Sequence, residues 1–291
     1  MDTKKQTPRK QDRQFQDSWK NFFFLLPSLC GVSIFVFLPF GDVVRRSFTS
    51  LTGSQFTGLL NYRTILKNEA FRLAMGNTLK FLAVCVPLLL ALSLLLANLV
   101  HFGFLKHYKD VCLLPMAIPA ASLVFVWKML FSRHGIINSA LHLSVSWLDS
   151  SCAFWVLSAT FLWKNMGYYV VLWLTGLSGI PNSLYEAASL DGAGALAKFR
   201  YVTLPGLRPM AGAVWVLALT GVFKSYRESY LLAGEYPDKS IYMVQHMFHN
   251  WFRDMSIEKM SAAAVAIACI FAALVYPFRK KGGGNIGTLS S

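Results

Sequence analysis

The chain has 291 residues, of which 55% are hydrophobic, 14% charged and 14% aromatic, and its mean hydropathy is +0.45. Water-soluble domains carry about 25% charged residues, so this chain has too few charges to cover a water-facing globule of its length. A formal net charge of +14 would favour a nucleic-acid partner in a soluble protein. Here the tail and the loops hold most of that charge, where anionic lipid explains it. The composition predicts an integral membrane protein that contacts lipid and binds no nucleic acid.

Cysteine and histidine positions give no pattern typical of a metal site or a disulfide framework. The five cysteines lie in or beside apolar stretches, without a CxxC pair, and are interpreted as small buried thiols. His246 and His249 are three residues apart, and we interpret them as part of an exposed helix face. No metal site is predicted.

Six apolar segments are long enough to cross the membrane, since a spanning helix needs about 20 residues. They cover residues 21–40, 73–100, 111–131, 152–177, 209–232 and 259–278. The first follows a basic tail, and no small-residue cleavage site comes after it, so it is interpreted as a retained span. Lys and Arg are more frequent in the predicted inner segments, although the tail alone provides the excess.

This topology predicts that the N- and C-termini both lie in the cytoplasm. It divides the chain into a basic tail (1–20), a first span with an outer loop (21–70), a core of five spans (71–278) and a C-terminal tail (279–291). Prolines within or beside the spans predict a bent bundle.

The loop of residues 178–208 is too polar to cross the membrane and too regularly patterned for an unstructured linker. Ser183 and Glu186 have the spacing of a capping box, which predicts a short helix that begins at Leu184. A sharp turn at the glycines of residues 192–194 then leads to a second short helix over residues 195–201. We expect Pro205 to end that second helix.

One face of the first short helix is small and partly polar. Its members fall at 3/4 spacing and are Leu184, Ala187, Ala188 and Asp191. Small side chains allow close backbone approach, so the face suits docking of the helix into the groove of a partner. The alternative is a loop helix that only packs beneath the bundle.

A family resemblance favours docking. Residues 186–193 (EAASLDGA), followed by Phe199, residues 203–205 (TLP) and Pro209, resemble the EAA loop of permease subunits of binding-protein-dependent ABC importers. Residues 163–168 (WKNMGY) and 176–181 (GLSGIP) are similar to the carbohydrate-uptake branch. The resemblance covers most of residues 71–278. It implies an all-α polytopic membrane protein of the type I ABC importer fold, with six transmembrane helices and a cytoplasmic coupling helix.

The resemblance also implies partners. Glu186, Ala187, Ala188, Asp191 and Gly192 would dock on an ATPase subunit. The assembly would contain a second permease subunit as a heterodimer, two ATP-binding cassette ATPase subunits and an extracytoplasmic solute-binding protein. ATP and Mg²⁺ would be bound by the partner ATPase, so this chain is expected to be no enzyme and to bind no cofactor itself.

The residues also argue against other function classes. The sequence contains no GxxxxGK[ST] phosphate loop, so energy must come from a partner. HExxH, GxSxG and paired catalytic carboxylates are also absent, which disfavours an intramembrane enzyme. A secondary carrier remains a remote alternative, because Asp110 and Glu228 are expected near span ends rather than buried as a proton relay.

Lys164 is the best candidate for the substrate path, because it lies near the middle of its predicted span. No carboxylate is expected at its depth, and Lys224 is expected to pair with Glu228 on its own helix. The candidate path residues are Trp163, Lys164, Asn165, Gly167, Tyr168, Lys224 and Tyr226. Aromatic rings with hydrogen-bonding groups suit a sugar, preferably an oligosaccharide. An acidic sugar, or a glycerol or sugar phosphate, is the alternative cargo because the path has excess positive charge. The alternative role of the aromatic residues is packing.

Overall fold

The computed structural model describes residues 25–50, 55–103 and 114–279. Within these ranges the chain is helical, with one isolated bridge between Thr49 and Phe56. The predicted basic tail (1–20), residues 280–291 of the predicted C-terminal tail, and Asp110 lie outside the described residues.

The chain alternates short and long helices. They are α1 (Leu25–Ser47), α2 (Leu60–Lys67), α3 (Glu69–His101), α4 (Leu114–Ala117), α5 (Ala120–Phe131), α6 (Ile136–Leu141), α7 (Ala153–Ser178), α8 (Asn182–Leu190), α9 (Ala195–Gly206), α10 (Arg208–Lys224), α11 (Tyr226–Ala233), α12 (Val244–Arg253) and α13 (Ile257–Arg279).

Three described helices are long and apolar enough to cross a membrane: α1, α3 and α13 over Ile257–Pro277. A fourth is added if α9 and the Arg208–Ala233 segment, bent by 74°, count as one span. Helix α7 has 26 residues, but Lys164, Asn165 and its tryptophan and tyrosine residues lower its hydropathy. The third predicted span contains a break before α5, where Pro119 precedes the helix. The count of six spans stays a prediction.

One compact unit comprises the described residues up to Thr64 together with Ser256–Ile267. After α1 the chain is held locally, because the Asn61 side-chain amide donates to the carbonyls of Ser47 (3.1 Å) and Thr49 (2.9 Å). Tyr62 donates to the Ser47 hydroxyl at 2.8 Å. The apolar residues of α1 are largely exposed, as expected for a segment that contacts lipid or another protein.

The second unit comprises Ile65–Met255 and the described residues from Ala268 onward, and it holds the main core. Helices α3 and α7 form its centre, where the Phe81 ring lies edge-on to Phe154 at 6.0 Å and Phe161 at 5.4 Å. The Trp173 indole N–H donates to the Ser93 hydroxyl at 3.1 Å and ties the same two helices together. Pro87 lies within α3 without ending it.

Helix α3 connects the segments that the topology assigns to opposite sides. Just beyond its C-terminal end, the Phe102 ring lies edge-on to Tyr185 of α8 at 5.5 Å. Nearer its start, the Asn77 amide donates to the carbonyls of Lys239 (2.6 Å) and Tyr242 (2.9 Å) in the predicted outer loop. The two ends of α3 therefore contact two segments that the sequence assigns to opposite sides of the membrane.

The prediction that the cysteines are buried thiols is only partly right. Cys85 is buried and Cys152 is half-buried, but Cys30 and Cys269 are exposed at the surface of the chain. A helix that faces lipid leaves apolar side chains exposed, so an apolar setting in the sequence does not imply burial inside the protein.

Candidate functional site

The short helix in the loop before α10 begins earlier than its pattern predicts. Helix α8 begins at Asn182, and the Leu184 N–H donates to the Pro181 carbonyl at 3.1 Å. Ser183 and Glu186 both lie inside the helix, and no side chain caps its N-terminus. The predicted capping box is therefore wrong, because Pro181 already has the fixed φ that suits a helix start.

The C-terminal end of α8 is a Schellman motif, in which a left-handed glycine closes the last turn. Gly192 has a φ of +77°, its N–H donates to the Ser189 carbonyl at 3.1 Å, and the Ala193 N–H donates to the Ala188 carbonyl at 2.9 Å. The expected turn is therefore present at Gly192. Gly194 has a φ of −71°, which any residue can adopt.

The predicted end of the second short helix is wrong. Helix α9 continues through Pro205 to Gly206. A π-helical turn over Phe199–Thr203 shifts the hydrogen-bond ladder by one residue, because the Leu204 N–H donates to the Phe199 carbonyl. Pro205 follows directly after this turn, in the first turn of the α-helical segment Leu204–Gly206. Proline is tolerated in the first turn of a helix, so α9 does not end there.

Tyr185 is the one residue of α8 that is buried. Its hydroxyl lies 3.0 Å from the Thr203 hydroxyl of α9, and its ring packs against Phe102. A single anchor thus connects α8 to both α9 and the end of α3. Sequence reasoning assigned no role to Tyr185, although a bulky residue inside an otherwise small pattern is the signal for such an anchor.

The rest of α8 faces outward. The expected docking residues Glu186, Ala187, Asp191 and Gly192 are exposed, and Ala188 is half-buried. Large apolar side chains beside them are also exposed, with Leu190 at 90% and Leu196 at 80%. Exposed apolar side chains that lie close together favour contact with another protein or with lipid. Below, the α8 surface means the small face of α8, which is Leu184, Ala187, Ala188 and Asp191, together with Leu190 and Leu196.

A second candidate region is a small polar cavity between α7, α10 and α11, with a volume of about 130 Å³. Helix α7 contributes residues at 3/4 spacing, and the α10–α11 segment contributes a matching stripe. The lining residues are Leu157, Thr160, Phe161, Lys164, Asn165, Gly221, Lys224, Ser225 and Glu228.

An ion pair between Lys164 and Glu228 crosses this cavity and joins α7 to α11. Their side chains are only 20% and 13% exposed, so both charges are largely removed from water. The expectation that no carboxylate lies at the depth of Lys164 is wrong. So is the expectation that Glu228 lies at a solvated end and pairs with Lys224, because Glu228 faces α7 across the cavity.

Only some of the predicted path residues line the cavity. Lys164, Asn165 and Lys224 line the cavity, and Trp163, Gly167, Tyr168 and Tyr226 do not. Trp163 lies about 100° around the helix from Lys164 and packs edge-on against Trp127 of α5 at 6.0 Å. Tyr168 is exposed and lies edge-on to Tyr169, and Gly167 is buried.

Tyr226 belongs to an aromatic cluster with α12 rather than to the cavity. Its ring lies edge-on to His246 at 5.1 Å and tilted against Tyr230 at 5.5 Å. His246 is buried, which corrects the exposed face that we expected for it. Its Nδ1 accepts the Met243 N–H at 3.2 Å and its Nε2 lies 3.4 Å from the Ser229 hydroxyl. Burial, and secondarily the nearby charge of His249, lowers the pKa of His246 to about 4.

A known protein family matches the part of the chain that contains both candidate regions. The family described as "Binding-protein-dependent transport system inner membrane component" matches residues 90–278. The chain is 31% identical over 273 residues to the inner membrane ABC transporter permease protein YcjO of Escherichia coli (strain K12), covering 88% of this chain and 92% of that protein.

Two further relatives are similar over much of their length. The chain is 27% identical over 272 residues to the probable ABC transporter permease protein YurN of Bacillus subtilis (strain 168), covering 87% and 92% of the two chains. It is 31% identical over 220 residues to the sn-glycerol-3-phosphate transport system permease protein UgpA of Yersinia pestis bv. Antiqua (strain Antiqua), covering 72% and 75%.

Solved structures agree on the fold. A chain of a bacterial ABC transporter involved in the import of the acidic polysaccharide alginate superposes with a TM-score of 0.78 at 18% identity, covering 94% of this chain and 98% of that chain. A second structure, of a bacterial alginate ABC transporter with an alginate pentasaccharide-bound periplasmic protein, gives 0.78 at 20%, covering 92% and 95%. The predicted all-α importer-permease fold is confirmed. With a family match over residues 90–278 and relatives at 31% identity, the chain belongs to the binding-protein-dependent transport system inner membrane components and is a multi-pass ABC transporter permease of the cytoplasmic membrane.

Proposed function

We propose that this permease forms part of the path by which an ATP-driven importer carries a sugar, preferably an oligosaccharide, across the membrane. The observation that carries the proposal is the α8 surface, where a small-residue helix with exposed leucines is fixed to the bundle by one buried tyrosine. Such a helix can follow a partner that moves and pass that movement to α9 and α3. ATP hydrolysis then belongs to the partner, which binds ATP and Mg²⁺.

The docking residues in this proposal are Glu186, Ala187, Ala188, Asp191 and Gly192. The partners are two ATP-binding cassette ATPase subunits, a second permease subunit and an extracytoplasmic solute-binding protein. Docking on an ATPase places α8 in the cytoplasm. Both termini then also lie in the cytoplasm, with six spans between them and the tail, first span, core and C-terminal tail divided as the sequence predicts.

The cargo would pass beside the cavity between α7, α10 and α11, which is lined by Lys164, Asn165, Lys224 and Glu228. Buried hydrogen-bonding groups between two long helices suit the hydroxyl groups of a sugar. Trp163 and Tyr168 are exposed on α7, so in this proposal they face either the second permease or the path that it completes.

An anionic cargo is the second candidate, because two lysines and one carboxylate line the cavity. The names of the relatives include sn-glycerol-3-phosphate transport and alginate import, which are transport of a phosphate ester and of an acidic polysaccharide. Identification of the ligand of the solute-binding protein that works with this permease would separate the two candidates.

Reconstitution tests the importer function. The chain, its second permease and the ATPase are placed in proteoliposomes, and uptake of the ligand of the solute-binding protein is followed with and without ATP. We expect uptake only with ATP and the binding protein together. Uptake by the permease alone, driven by a proton or sodium gradient, would instead identify a secondary carrier.

Cysteine labelling tests the path. In a background without the five native cysteines, Lys164→Cys is expected to react with a small hydrophilic thiol reagent, and cargo is expected to slow the reaction. Ala218→Cys is the matched control, because Ala218 is fully buried in the core of α10. A Lys164→Cys thiol that remains as unreactive as the control in every transport state would exclude an aqueous path at this position.

A further inference from the structure

We propose that Glu228 determines the specificity of the cavity by accepting a hydrogen bond from a hydroxyl group of the cargo, so that the site takes a neutral polyhydroxylated molecule rather than an anion. This inference rests on the proposed function, in which cargo passes between α7 and α11. It adds Glu228 to the path and chooses between the two candidate cargo classes.

Local hydrogen bonds make the two hydroxyl groups of the cavity into acceptors. The Thr160 hydroxyl donates to the Val156 carbonyl at 2.8 Å, and the Ser225 hydroxyl donates to the Val222 carbonyl at 2.7 Å. A hydroxyl has only one proton, so each of these oxygens is left with lone pairs alone. The Asn165 amide donates one of its two N–H groups to the Phe161 carbonyl at 2.8 Å, so this side chain keeps a second N–H as well as its acceptor oxygen.

Glu228 contributes a further acceptor that no neighbour satisfies. Its Oε1 accepts from the Lys164 ammonium, and its Oε2 is buried with no hydrogen-bond partner among the described residues. A buried acceptor without a donor destabilises the folded protein, and the cost is higher when the acceptor is charged. A ligand that donates a hydrogen bond to this oxygen therefore gains a large binding free energy.

A sugar hydroxyl meets both requirements of the cavity. It can donate its proton to Glu228 Oε2 while its oxygen accepts from Lys164 or Lys224, and a neighbouring hydroxyl on the ring can bond to Thr160 or Ser225. The cavity volume of about 130 Å³ equals a few liquid water volumes of about 30 Å³ each. The space therefore suits the edge of one sugar ring.

An ionised carboxylate or a doubly charged phosphate has no proton to donate to Glu228. It would also bring negative charge beside a carboxylate that is only 13% exposed. Lys164 is already paired with Glu228, and Lys224 is exposed, so water weakens its attraction for an anion. The two lysines thus do not form an anion site, although their number alone suggests one.

The test uses the importer assembled with its own partners in proteoliposomes. Ligands of its solute-binding protein are sought among neutral probes (maltotriose, cellotriose, raffinose) and anionic probes (trigalacturonate, sn-glycerol 3-phosphate), and uptake of the bound probe is measured. We expect a neutral probe to be transported. Glu228→Gln should lower its uptake at least about tenfold, because about 1.4 kcal/mol corresponds to a factor of ten and a charged hydrogen bond exceeds that.

The matched control for charge is Glu235→Gln. Glu235 pairs with Arg253 outside the cavity, so uptake should change less than about twofold, as for a surface ion pair. A second variant separates specificity from structural support. The charge exchange Lys164→Glu with Glu228→Lys keeps an ion pair between α7 and α11 but moves the acceptor to the other helix. It should restore insertion and ATPase assembly while uptake stays low.

The possible outcomes separate the Glu228 inference from the importer function. Uptake that recovers with the charge exchange would show that the pair only holds the two helices together. Unchanged uptake in Glu228→Gln would show that transport needs neither the carboxylate nor the ion pair, and would overturn the Glu228 inference. ATP-dependent uptake of an anionic probe by the unaltered importer would overturn the Glu228 inference and leave the importer function intact. An unaltered importer that transports no probe of either class would contradict the proposed sugar function itself.

Discussion

Helix α8 buries Tyr185 and exposes most of its other side chains, whereas the cavity between α7, α10 and α11 encloses the Lys164–Glu228 ion pair. At α8 the unsatisfied surface is apolar, with Leu190 almost fully exposed. In the cavity it is polar, with Glu228 Oε2 buried and unpartnered among the described residues. Within the described part of the chain, the α8 surface therefore lacks an apolar partner, and this oxygen of the cavity lacks a hydrogen-bond donor.

The difference indicates what each region binds. An exposed apolar surface gains free energy when a protein partner covers it. A buried acceptor gains free energy only when a donor reaches it. In the functions proposed for them, coupling to a protein partner and recognition of a polar cargo are separated within one unit of the chain, so variants in the two regions should fail in different assays.

The largest expected effect is at the α8 surface. Ala187 is exposed and faces away from the Tyr185 anchor, so Ala187→Trp should block close approach of the partner without disturbing the bundle. Uptake should fall at least about 100-fold, which corresponds to about 3 kcal/mol of lost coupling. Transport assays together with ATPase co-purification measure this. Ala187→Ser is the control and should behave like the unaltered chain. Normal transport by Ala187→Trp with the ATPase bound would end the docking proposal.

The contrast between these regions also explains what the sequence could predict. The α8 region depends on local spacing, so residues 182–194 by themselves indicate its helix, its glycine turn and its exposed face. Pro181 replaced the expected cap because two local signals competed for the same helix start.

The cavity could be predicted only in part. The depth of Lys164 follows from its position in an apolar stretch, but its partner is 64 residues away on another helix. The 3/4 spacing of Gly221, Lys224, Ser225 and Glu228 was a usable signal for one face. The rotation of that face toward α7 depends on packing of the core, which no local pattern specifies.

His246 packs against Ser229 and Tyr226 of α11 and should make stability depend on pH. Its pKa in the folded state is about 4, below the ordinary value of 6.5. As the pH falls between these values, the unfolded chain binds a proton that the folded chain does not. The free energy of unfolding should therefore decrease by about 3 kcal/mol on acidification, with little further change below both pKa values.

Denaturation in detergent at a series of pH values checks this. His246→Gln retains an acceptor for the Met243 N–H and has no titrating ring, so it should flatten the pH dependence in that range. His249→Gln is the comparison, since His249 is half-buried and lies near Glu235. An unchanged pH profile in His246→Gln would place the origin of the dependence elsewhere.

A smaller effect is expected at the turn that ends α8. Gly192→Val requires a β-branched residue at a φ of +77°, which costs about 1–3 kcal/mol of strain. The turn should reopen, and uptake should fall about tenfold or more as α8 loses its orientation. Gly194→Ala is the matched control, because its φ of −71° and open surroundings accept a Cβ. Equal uptake by the two variants would contradict the role of the Schellman turn.

The smallest effect is expected at the anchor that joins the α8 surface to the bundle. Tyr185→Phe removes the hydroxyl that lies 3.0 Å from Thr203 while it keeps the ring against Phe102. The Thr203 hydroxyl still has a contact at 3.5 Å with the Lys198 carbonyl, so the loss should be only about 1 kcal/mol, and uptake should fall a few-fold.

A double-mutant cycle isolates this hydrogen bond from other effects of the substitutions. Thr203→Val leaves the buried tyrosine hydroxyl without its partner and should destabilise the protein by about 1–3 kcal/mol. This loss should exceed that of Tyr185→Phe. The double variant replaces both groups by apolar ones of similar shape, so its loss should be smaller than the sum of the two single losses by about 1 kcal/mol. Additive losses in unfolding and uptake would mean that the ring contact with Phe102 holds α8 without help from the hydroxyls. In that case Tyr185→Leu, which removes the ring contact, should uncouple ATP hydrolysis from uptake although Tyr185→Phe does not.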